Sequence, residues 1–140
     1  MDFQFTEEQL MIKQAARDFA INDCLPGVIE RDEMQQFPYE QIMKLADLGF
    51  MGMMVDVKYG GAGLDTISYV LAMEEISKID ASVSVCMSVN NSLVSWGLES
   101  FGNEEQKQKY LVPLAQGKKE GELYIGAFLL SEPEAGSDAT

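Results

Sequence analysis

One long segment of the chain, from Asp80 to Asn103, reads DASVSVCMSVNNSLVSWGLESFGN. Glu99 is the only charged residue between its two ends, and the others are apolar or small and polar. Asp80 suits the start of a helix and Gly102 suits its end, so the segment predicts a helix from Asp80 to about Phe101. At about 1.5 Å per residue this helix spans roughly 30 Å, the width of a small domain. Because it lacks a charged face, we expect it to be central and buried on most sides.

Five further helices are predicted around this segment, and each has a recognisable start. They begin at Thr6, Pro26, Pro38, Asp65 and Asn103. Thr6 and Asn103 each precede a glutamine by three residues, which is the spacing of a capping box. In the helix from Asp65 the acidic pair Glu74-Glu75 is interpreted as solvated. Short connections between six capped helices predict an all-α bundle.

The chain then reads LYIGAFLLSEPEAGSDAT from Leu123 to Thr140. Its first part is short, apolar and rich in strand formers, so Leu123 to Leu130 predicts the first strand of a β domain that follows the bundle. Pro133 ends this strand because proline has no N–H for a ladder. The small residues after it, such as Gly136, leave backbone N–H groups open to a ligand. The residues alone also allow a plain turn after a strand.

A second glycine-rich segment, from Lys58 to Gly63, reads KYGGAG. It lacks the spacing and the terminal lysine of a P-loop and does not match GxGxxG. A turn is the first interpretation of this loop, and a phosphate-binding role is the alternative.

Composition narrows the possible partners of this 140-residue chain, whose formal net charge is −13. Such an acidic chain is a poor partner for nucleic acid or an anionic membrane surface. It contains no histidine, so histidine triads and histidine metal sites are excluded, and we expect no metal site. Cys24 and Cys86 have no CxxC spacing, and residues 1–4 are not a basic leader, so we expect a cytoplasmic protein. Without a run of 18 apolar residues, no membrane span is expected.

The segment from Leu130 to Asp138 resembles the flavin-binding signature of the acyl-CoA dehydrogenases, although Leu129 stands where that family prefers a small residue. The segment from Phe101 to Leu111 and the glycine-rich loop are also similar to that family. The resemblance covers essentially the whole chain. It implies an N-terminal helical domain at residues 1–120 and the start of a middle β domain at residues 121–140.

The resemblance implies an enzyme that uses FAD to oxidise an acyl-CoA to its trans-2-enoyl-CoA. In that family a carboxylate removes the α-proton, a hydride passes from the β-carbon to FAD N5, and an electron-transfer flavoprotein reoxidises the flavin. The family's base is a glutamate of a C-terminal domain, so no catalytic residue is expected in this chain, which should be inactive alone. A homo-oligomer, a tetramer, is implied for the complete enzyme. The segment from Val89 to Leu93 resembles the short-chain, butyryl-type members.

The same resemblance assigns the cofactor-binding residues. Phe128 and Leu130 would lie against the flavin, and Ser131 would form a hydrogen bond with the polar edge of its ring. Gly136 and Ser137 would stand near the pyrophosphate. Ser137 would also face the pantetheine arm of the acyl-CoA substrate.

Several interpretations stay open from the sequence. The helix from Asp80 is a core helix, and part of it is also a candidate wall of an acyl pocket. Acyl-CoA oxidases and flavin-dependent enoyl-CoA reductases share the scaffold of the dehydrogenases. A non-catalytic helical interaction module is a further alternative, but such a module needs no segment like Ser131 to Asp138.

Overall fold

Six helices make up most of the part of the protein that the structure, a computed structural model, describes, which is residues 4–137. They are α1 (Glu7–Phe19, continued by a π-helical turn at Ala20–Cys24), α2 (Val28–Glu33), α3 (Tyr39–Asp47), α4 (Thr66–Ser77), α5 (Ala81–Ser88, Val89–Ser95 and Trp96–Phe101) and α6 (Glu104–Gln106, Lys107–Leu111 and Val112–Gln116). The middle segments of α5 and α6 are π-helical. The all-α prediction is confirmed.

Short elements connect and follow the helices. Two 3-10 turns, Phe50–Gly52 and Val57–Tyr59, lie between α3 and α4. After α6 come strands β1 (Lys118–Lys119) and β2 (Glu122–Leu123), which pair antiparallel. The turn residues Glu120 and Gly121 both have positive φ, 54° and 85°. Positive φ at both central positions is the mark of a type I′ turn, whose twist suits a two-residue hairpin.

The predicted helix starts agree with the structure at five of the six helices, including α3, whose N-cap is Pro38, and four of the five have a side-chain cap. The capping box at Thr6 is complete: Gln9 N donates to Thr6 Oγ1 at 3.2 Å and Thr6 N donates to Gln9 Oε1 at 3.0 Å. Asn103 has the same capping box, whereas Asp65 and Asp80 cap their helices only by accepting from the backbone N–H of Ser68 and Val83. The helix predicted from Pro26 begins instead at Val28, because the residue between them, Gly27, has a left-handed φ of 73°.

The core lies between α1, α3, α4 and α5. α1 packs along α4, α4 packs against α5, and α3 packs against the first part of α5. The fully buried side chains at its centre are large and apolar: Ile42, Leu45, Met51, Met53, Ile76 and Met87. A second, smaller cluster joins α6 to the connection before α4. These contacts cover one side of α5.

The other side of α5 is exposed, so the prediction that it is buried on most sides is wrong. Its exposed apolar side chains are Val85, Leu93, Trp96 and Phe101, with exposed fractions from 44% to 80%. The reason is that the core residues of α5, such as Val83 and Met87, pack against α1, α3 and α4, and none of the core residues lies at Val85 or Leu93. One side of the helix is therefore buried and the other exposed, although charged residues do not mark the exposed side.

Asn90 joins three separate parts of the chain from the buried side of α5. Its side chain is fully buried. Its Nδ2 donates to the carbonyl oxygens of Met51 at 2.8 Å and Leu114 at 2.9 Å. Its Oδ1 accepts from the backbone N–H of Gly126 at 2.9 Å. One amide thus fixes α5 to the 3-10 turn after α3, to α6 and to the segment that follows the hairpin.

The strand predicted from Leu123 to Leu130 is wrong beyond Leu123. The structure gives Tyr124 to Leu130 no regular secondary structure. A strand requires a neighbour to complete its ladder. Within residues 4–137 none runs beside this segment, which is held by Tyr124 N donating to Gly117 O at 2.9 Å and by the Asn90 bond.

Glu75 is buried in the groove between α1 and α4, which corrects the interpretation that it is solvated together with Glu74. Its Oε1 accepts from Lys78 Nζ at 2.8 Å and lies 3.7 Å from Lys13 Nζ. The hydrogen bond from Lys78, and the charges of Lys78 and Lys13, hold the pKa of Glu75 below its usual value. The carboxylate is a structural ion-pair partner.

None of the helices within residues 4–137 is both long enough and apolar enough to cross a membrane.

We predict that Asn90→Ala lowers the free energy of unfolding by about 3 kcal/mol, because two carbonyls and one N–H lose their buried hydrogen bond. Urea denaturation of the 140-residue chain measures this change. Asn22→Ala is the control, since Asn22 is an exposed asparagine and its loss should cost under about 0.5 kcal/mol. Equal stability of the two variants would contradict the role of Asn90.

We predict that Glu75→Gln destabilises the chain at pH 7 but not in acid. Because the folded pKa of Glu75 lies below the unfolded one, its stabilisation is present above the unfolded pKa, about 4.3, and is lost as the pH falls through the folded pKa. The unfolding free energies of the two proteins should therefore converge by about pH 3. Glu74→Gln is the control, since that side chain is half exposed and should show a smaller difference at every pH. A constant difference across the pH range would reject the ion pair as the cause.

Candidate functional site

The segment from Tyr124 to Ser137 leaves the hairpin and crosses α5. Gly126 is the crossing point, because its N–H donates to Asn90 Oδ1. A Cβ built on Gly126 would lie 2.6 Å from Val94 Cγ1, closer than real side chains approach. Only glycine therefore lets the backbone lie directly on the helix here. The contact fixes where the following residues begin.

A tight turn follows at Glu132–Ala135. Glu132 N donates to Ala135 O at 2.9 Å, and Ala135 N donates to Glu132 O at 3.2 Å. Pro133 and Glu134 form the tip between them. This turn reverses the chain between Ser131 and Gly136, two of the five positions that the sequence analysis assigns to cofactor binding.

The five predicted cofactor residues are all exposed in this segment: Phe128, Leu130, Ser131, Gly136 and Ser137. Within residues 4–137 no hydrogen bond joins any of them to another element. A Cβ built on Gly136 would meet no atom within 4 Å, so the space beside its backbone is open. Asp138, the last residue of the signature, lies outside the described residues. Apolar surface, a hydroxyl and an open backbone are therefore available side by side.

Helix α5, which the segment crosses at Gly126, has an exposed face. Val85, Val89 and Leu93 recur every four residues along it, and Val85 and Leu93 are 57% and 44% exposed. A continuous apolar stripe exposed to solvent is typical of a binding or packing surface. The helix therefore contributes to the core on one side only, and its other side stays a candidate pocket wall.

The glycine-rich loop at residues 58–63 is a structural turn. Every backbone N–H from Gly60 to Leu64 donates to a backbone carbonyl, so none is left for a phosphate. Gly61 packs so closely on Val55 that a Cβ there would lie 2.1 Å from the Val55 carbonyl oxygen. The turn interpretation is supported, and the phosphate-binding alternative is wrong.

The two cysteines are not nucleophiles. Burial raises the pKa of Cys24 to about 12, and the nearby Asp80 carboxylate adds to this. Burial also raises the pKa of Cys86. Both thiols are free, and both stay protonated at neutral pH.

Sequence reasoning missed the two groups that organise the site, Asn90 and Gly126. Asn90 is one of several small polar residues in α5, and the sequence does not separate it from the others. The available signal was its position in an uncharged helix, where a buried polar group requires partners. Gly126 was recognised only as a residue that weakens a strand.

The fold and this segment define a helical domain followed by the exposed segment that the sequence analysis interprets as a flavin-binding signature. Residues 6–118 match the model of the acyl-CoA dehydrogenase N-terminal domain. The chain belongs to the acyl-CoA dehydrogenase family.

Individual relatives agree with this assignment. The short-chain specific acyl-CoA dehydrogenase of Clostridium acetobutylicum is 45% identical over 139 residues, which are 99% of this chain and 35% of that protein. The butyryl-CoA dehydrogenase structure from Megasphaera elsdenii has a TM-score of 0.90 at 42% identity, covering 99% of this chain and 36% of that one. The chain thus spans about a third of the length of the relatives it matches.

Two further solved structures bear on cofactors and partners. A chain in the structure described as the electron transferring flavoprotein of Acidaminococcus fermentans has a TM-score of 0.91 at 46% identity, covering 99% of this chain and 35% of that one. An acyl-CoA dehydrogenase from Bacillus anthracis, described as complexed with FAD, has a TM-score of 0.85 at 34% identity, covering 97% of this chain and 22% of that one.

We predict that Gly126→Ala releases the segment from α5, because the added methyl group clashes with Val94 and pulls the backbone away from Asn90. Hydrogen exchange of the residue 126 N–H, followed by NMR, should accelerate by at least about tenfold. Gly97→Ala is the control, since a Cβ there meets no atom within 4 Å and alanine is the better helix former. Unchanged protection at residue 126 would show that the contact does not hold the segment.

Proposed function

We propose that this chain is the N-terminal part of an FAD-dependent acyl-CoA dehydrogenase that oxidises short-chain acyl-CoA esters to trans-2-enoyl-CoA. The observation that carries the proposal is the position of the flavin signature. It lies exposed immediately after the domain that matches the family, and Asn90 holds its entry against α5. The names of the relatives support the short-chain preference.

The residues of the segment fit FAD. Phe128 and Leu130 offer exposed apolar side chains to a flat ring, and Ser131 offers a hydroxyl to its polar edge. The open backbone at Gly136 and the hydroxyl of Ser137 suit a pyrophosphate. FAD, when bound, supplies the hydride acceptor of the reaction. This chain contributes binding and orientation.

On the substrate side, we assign the exposed stripe of α5 to the wall of the acyl pocket. Val85, Val89 and Leu93 present apolar side chains that suit an alkyl chain. Ser137 is assigned to the pantetheine arm of the substrate. We assign no base among residues 1–140: Glu75 is held in its ion pairs, and Glu132 and Glu134 are exposed without a partner that would activate them. The base is assigned to a later domain.

The remaining assignments extend the same proposal. The domain boundary is set at residue 120, which is supported by the end of the family match at residue 118. An electron-transfer flavoprotein is proposed as the partner that accepts the electrons, on the support of the similar structure described under that name. The complete enzyme is proposed to be a cytoplasmic homotetramer. The free thiols of Cys24 and Cys86 are compatible with a reducing compartment.

We predict that Ser131→Ala and Gly136→Val lower the FAD content of the complete enzyme. A hydrogen bond lost from a buried cofactor site costs about 1–3 kcal/mol, and the valine places bulk where the pyrophosphate approaches. Flavin absorbance per protein measures both changes. Ser100→Ala is the control for the hydroxyl, since Ser100 is an exposed serine on α5.

The reaction is tested on the same preparation. Reduction of the flavin by butyryl-CoA without oxygen consumption supports the dehydrogenase, whereas rapid oxygen consumption would identify an oxidase. Full FAD content in both variants, with unchanged far-UV circular dichroism, would reject the assignment of the signature.

A further inference from the structure

Helix α2 and its two flanks, residues 25–37, contribute no buried side chain to the core, and we call this stretch the α2 segment. Val28 and Arg31 are half-buried, and every other residue in it is exposed. The apolar side chains of Ile29 and Met34 are among those that are exposed to solvent. Because helices in proteins are stabilised mainly by burying an apolar face, the α2 segment lacks the packing that holds the other helices in place.

The backbone of the α2 segment is hydrogen-bonded within itself. Arg31 N donates to Gly27 O at 2.9 Å, and Gln36 N donates to Arg31 O at 2.9 Å. These bonds need no partner outside the segment. They therefore keep its shape without fixing it to the rest of the bundle.

One side chain, that of Arg31, joins the α2 segment to the start of α5. Its Nη2 donates to Asp80 Oδ2 at 3.0 Å and to Cys24 O at 2.6 Å, and its Nη1 donates to Pro26 O at 2.9 Å. The side chains of Arg31 and Asp80 are 15% and 3% exposed, so the ion pair is largely shielded from water. Within residues 4–137 no other side-chain hydrogen bond or ion pair joins the α2 segment to α3, α4 or α5.

Both ends of α2 have a left-handed backbone. Gly27, directly before the helix, has a φ of 73°, and Gln35, directly after its C-cap, has a φ of 52°. A residue with a side chain is strained in this conformation, and a change of the backbone at Gln35 relieves that strain. Hinges lie at such positions, at the ends of an element, because these absorb changes in φ and ψ.

A cleft of about 700 Å³ lies between the α2 segment and the turn that joins α4 to α5. Ile29 and Arg31 line it from the segment, and Ile79, Asp80 and Ser82 line it from the turn. The proposed function assigns it no role. Since one wall belongs to the weakly packed segment and the other to the body of the bundle, movement of the segment changes the width of the cleft.

We propose that the α2 segment is a lid on this cleft. It turns about Gly27 and Gln35, and the ion pair between Arg31 and Asp80 is the latch that holds it shut. The proposal rests on the packing and the bonds of this segment and does not depend on the proposed enzyme activity.

Opening of the lid leaves the rest of the bundle intact. When Arg31 moves away, the carboxylate of Asp80 becomes hydrated and still accepts from Ser82 Oγ at 2.6 Å and from Val83 N at 3.1 Å. Helix α5 therefore keeps its N-cap in the open state.

Native-state hydrogen exchange of the 140-residue chain at low urea concentrations, followed by NMR, tests the lid. Relative to their intrinsic rates, the backbone N–H groups of Arg31 and Met34 should exchange at least about a hundredfold faster than those of the buried Ile42 and Ile76. Protection of the first pair should not depend on urea, because a local opening exposes little surface, whereas that of the second pair should fall. Equal protection and equal urea dependence at all four positions would overturn the proposal.

Two variants separate the latch from the core. Arg31→Met removes the charge and the donors and should accelerate exchange at Met34 by at least about tenfold. Arg17→Met is the matched control, since Arg17 is an exposed arginine of α1, and it should leave exchange at Met34 unchanged. No acceleration in Arg31→Met, or the same acceleration in both variants, would overturn the latch.

The converse test weakens the core and leaves the latch intact. Ile76→Val removes one buried methyl group and should accelerate exchange at Ile42 by about fivefold, because that N–H exchanges through global unfolding. Exchange at Met34 should stay unchanged, since the closed and open states of the lid share the same core. An equal acceleration at Met34 and Ile42 would show that the α2 segment unfolds only with the core and would overturn the proposal.

Discussion

The amide of Asn90 holds together three parts of the chain that are distant in sequence. The two hydrogen bonds that its Nδ2 donates fix α5 against the turn after α3 and against α6. The hydrogen bond that its Oδ1 accepts fixes the segment at Gly126. No other residue type supplies two donors and one acceptor on so short a side chain. Because one group serves both the core and the entry to the segment proposed to bind flavin, the position of that segment depends on how well the core is packed.

The helices could be predicted from the sequence because their starts are local. The caps at Thr6, Asp65, Asp80 and Asn103 each involve residues within three positions. The predictions that were wrong concern features that depend on residues distant in the sequence. The extent of a strand depends on a neighbour, so the segment after Leu123 was overpredicted. The burial of Glu75 depends on α1, more than fifty positions earlier, and the hairpin at Glu120 depends on a left-handed residue that is not glycine.

Some features of the candidate site could likewise be predicted from the sequence, and others could not. The signature from Leu130 to Ser137 was recognisable because its residue types and spacing are contiguous, and the structure adds the turn at Glu132–Ala135 that reverses it. The contacts that position this segment could not be predicted, since Asn90, Leu114 and Gly126 are separated along the chain and only the fold brings them together. A site whose residues follow one another can be recognised in a sequence, whereas a site assembled from several elements requires the structure.

The π-helical segment of α5, Val89–Ser95, has a consequence for how relatives can differ in length. A π turn contains one residue more than an α turn, so it behaves as an insertion absorbed within a continuous helix. Deleting one residue there restores a regular helix and leaves the faces of Ala81–Ser88 and Trp96–Phe101 where they are. The same deletion in α3 would rotate every later side chain by about 100° and carry Leu45 out of the core. Evolutionary gaps of one residue should therefore concentrate beside the two buried asparagines of α5.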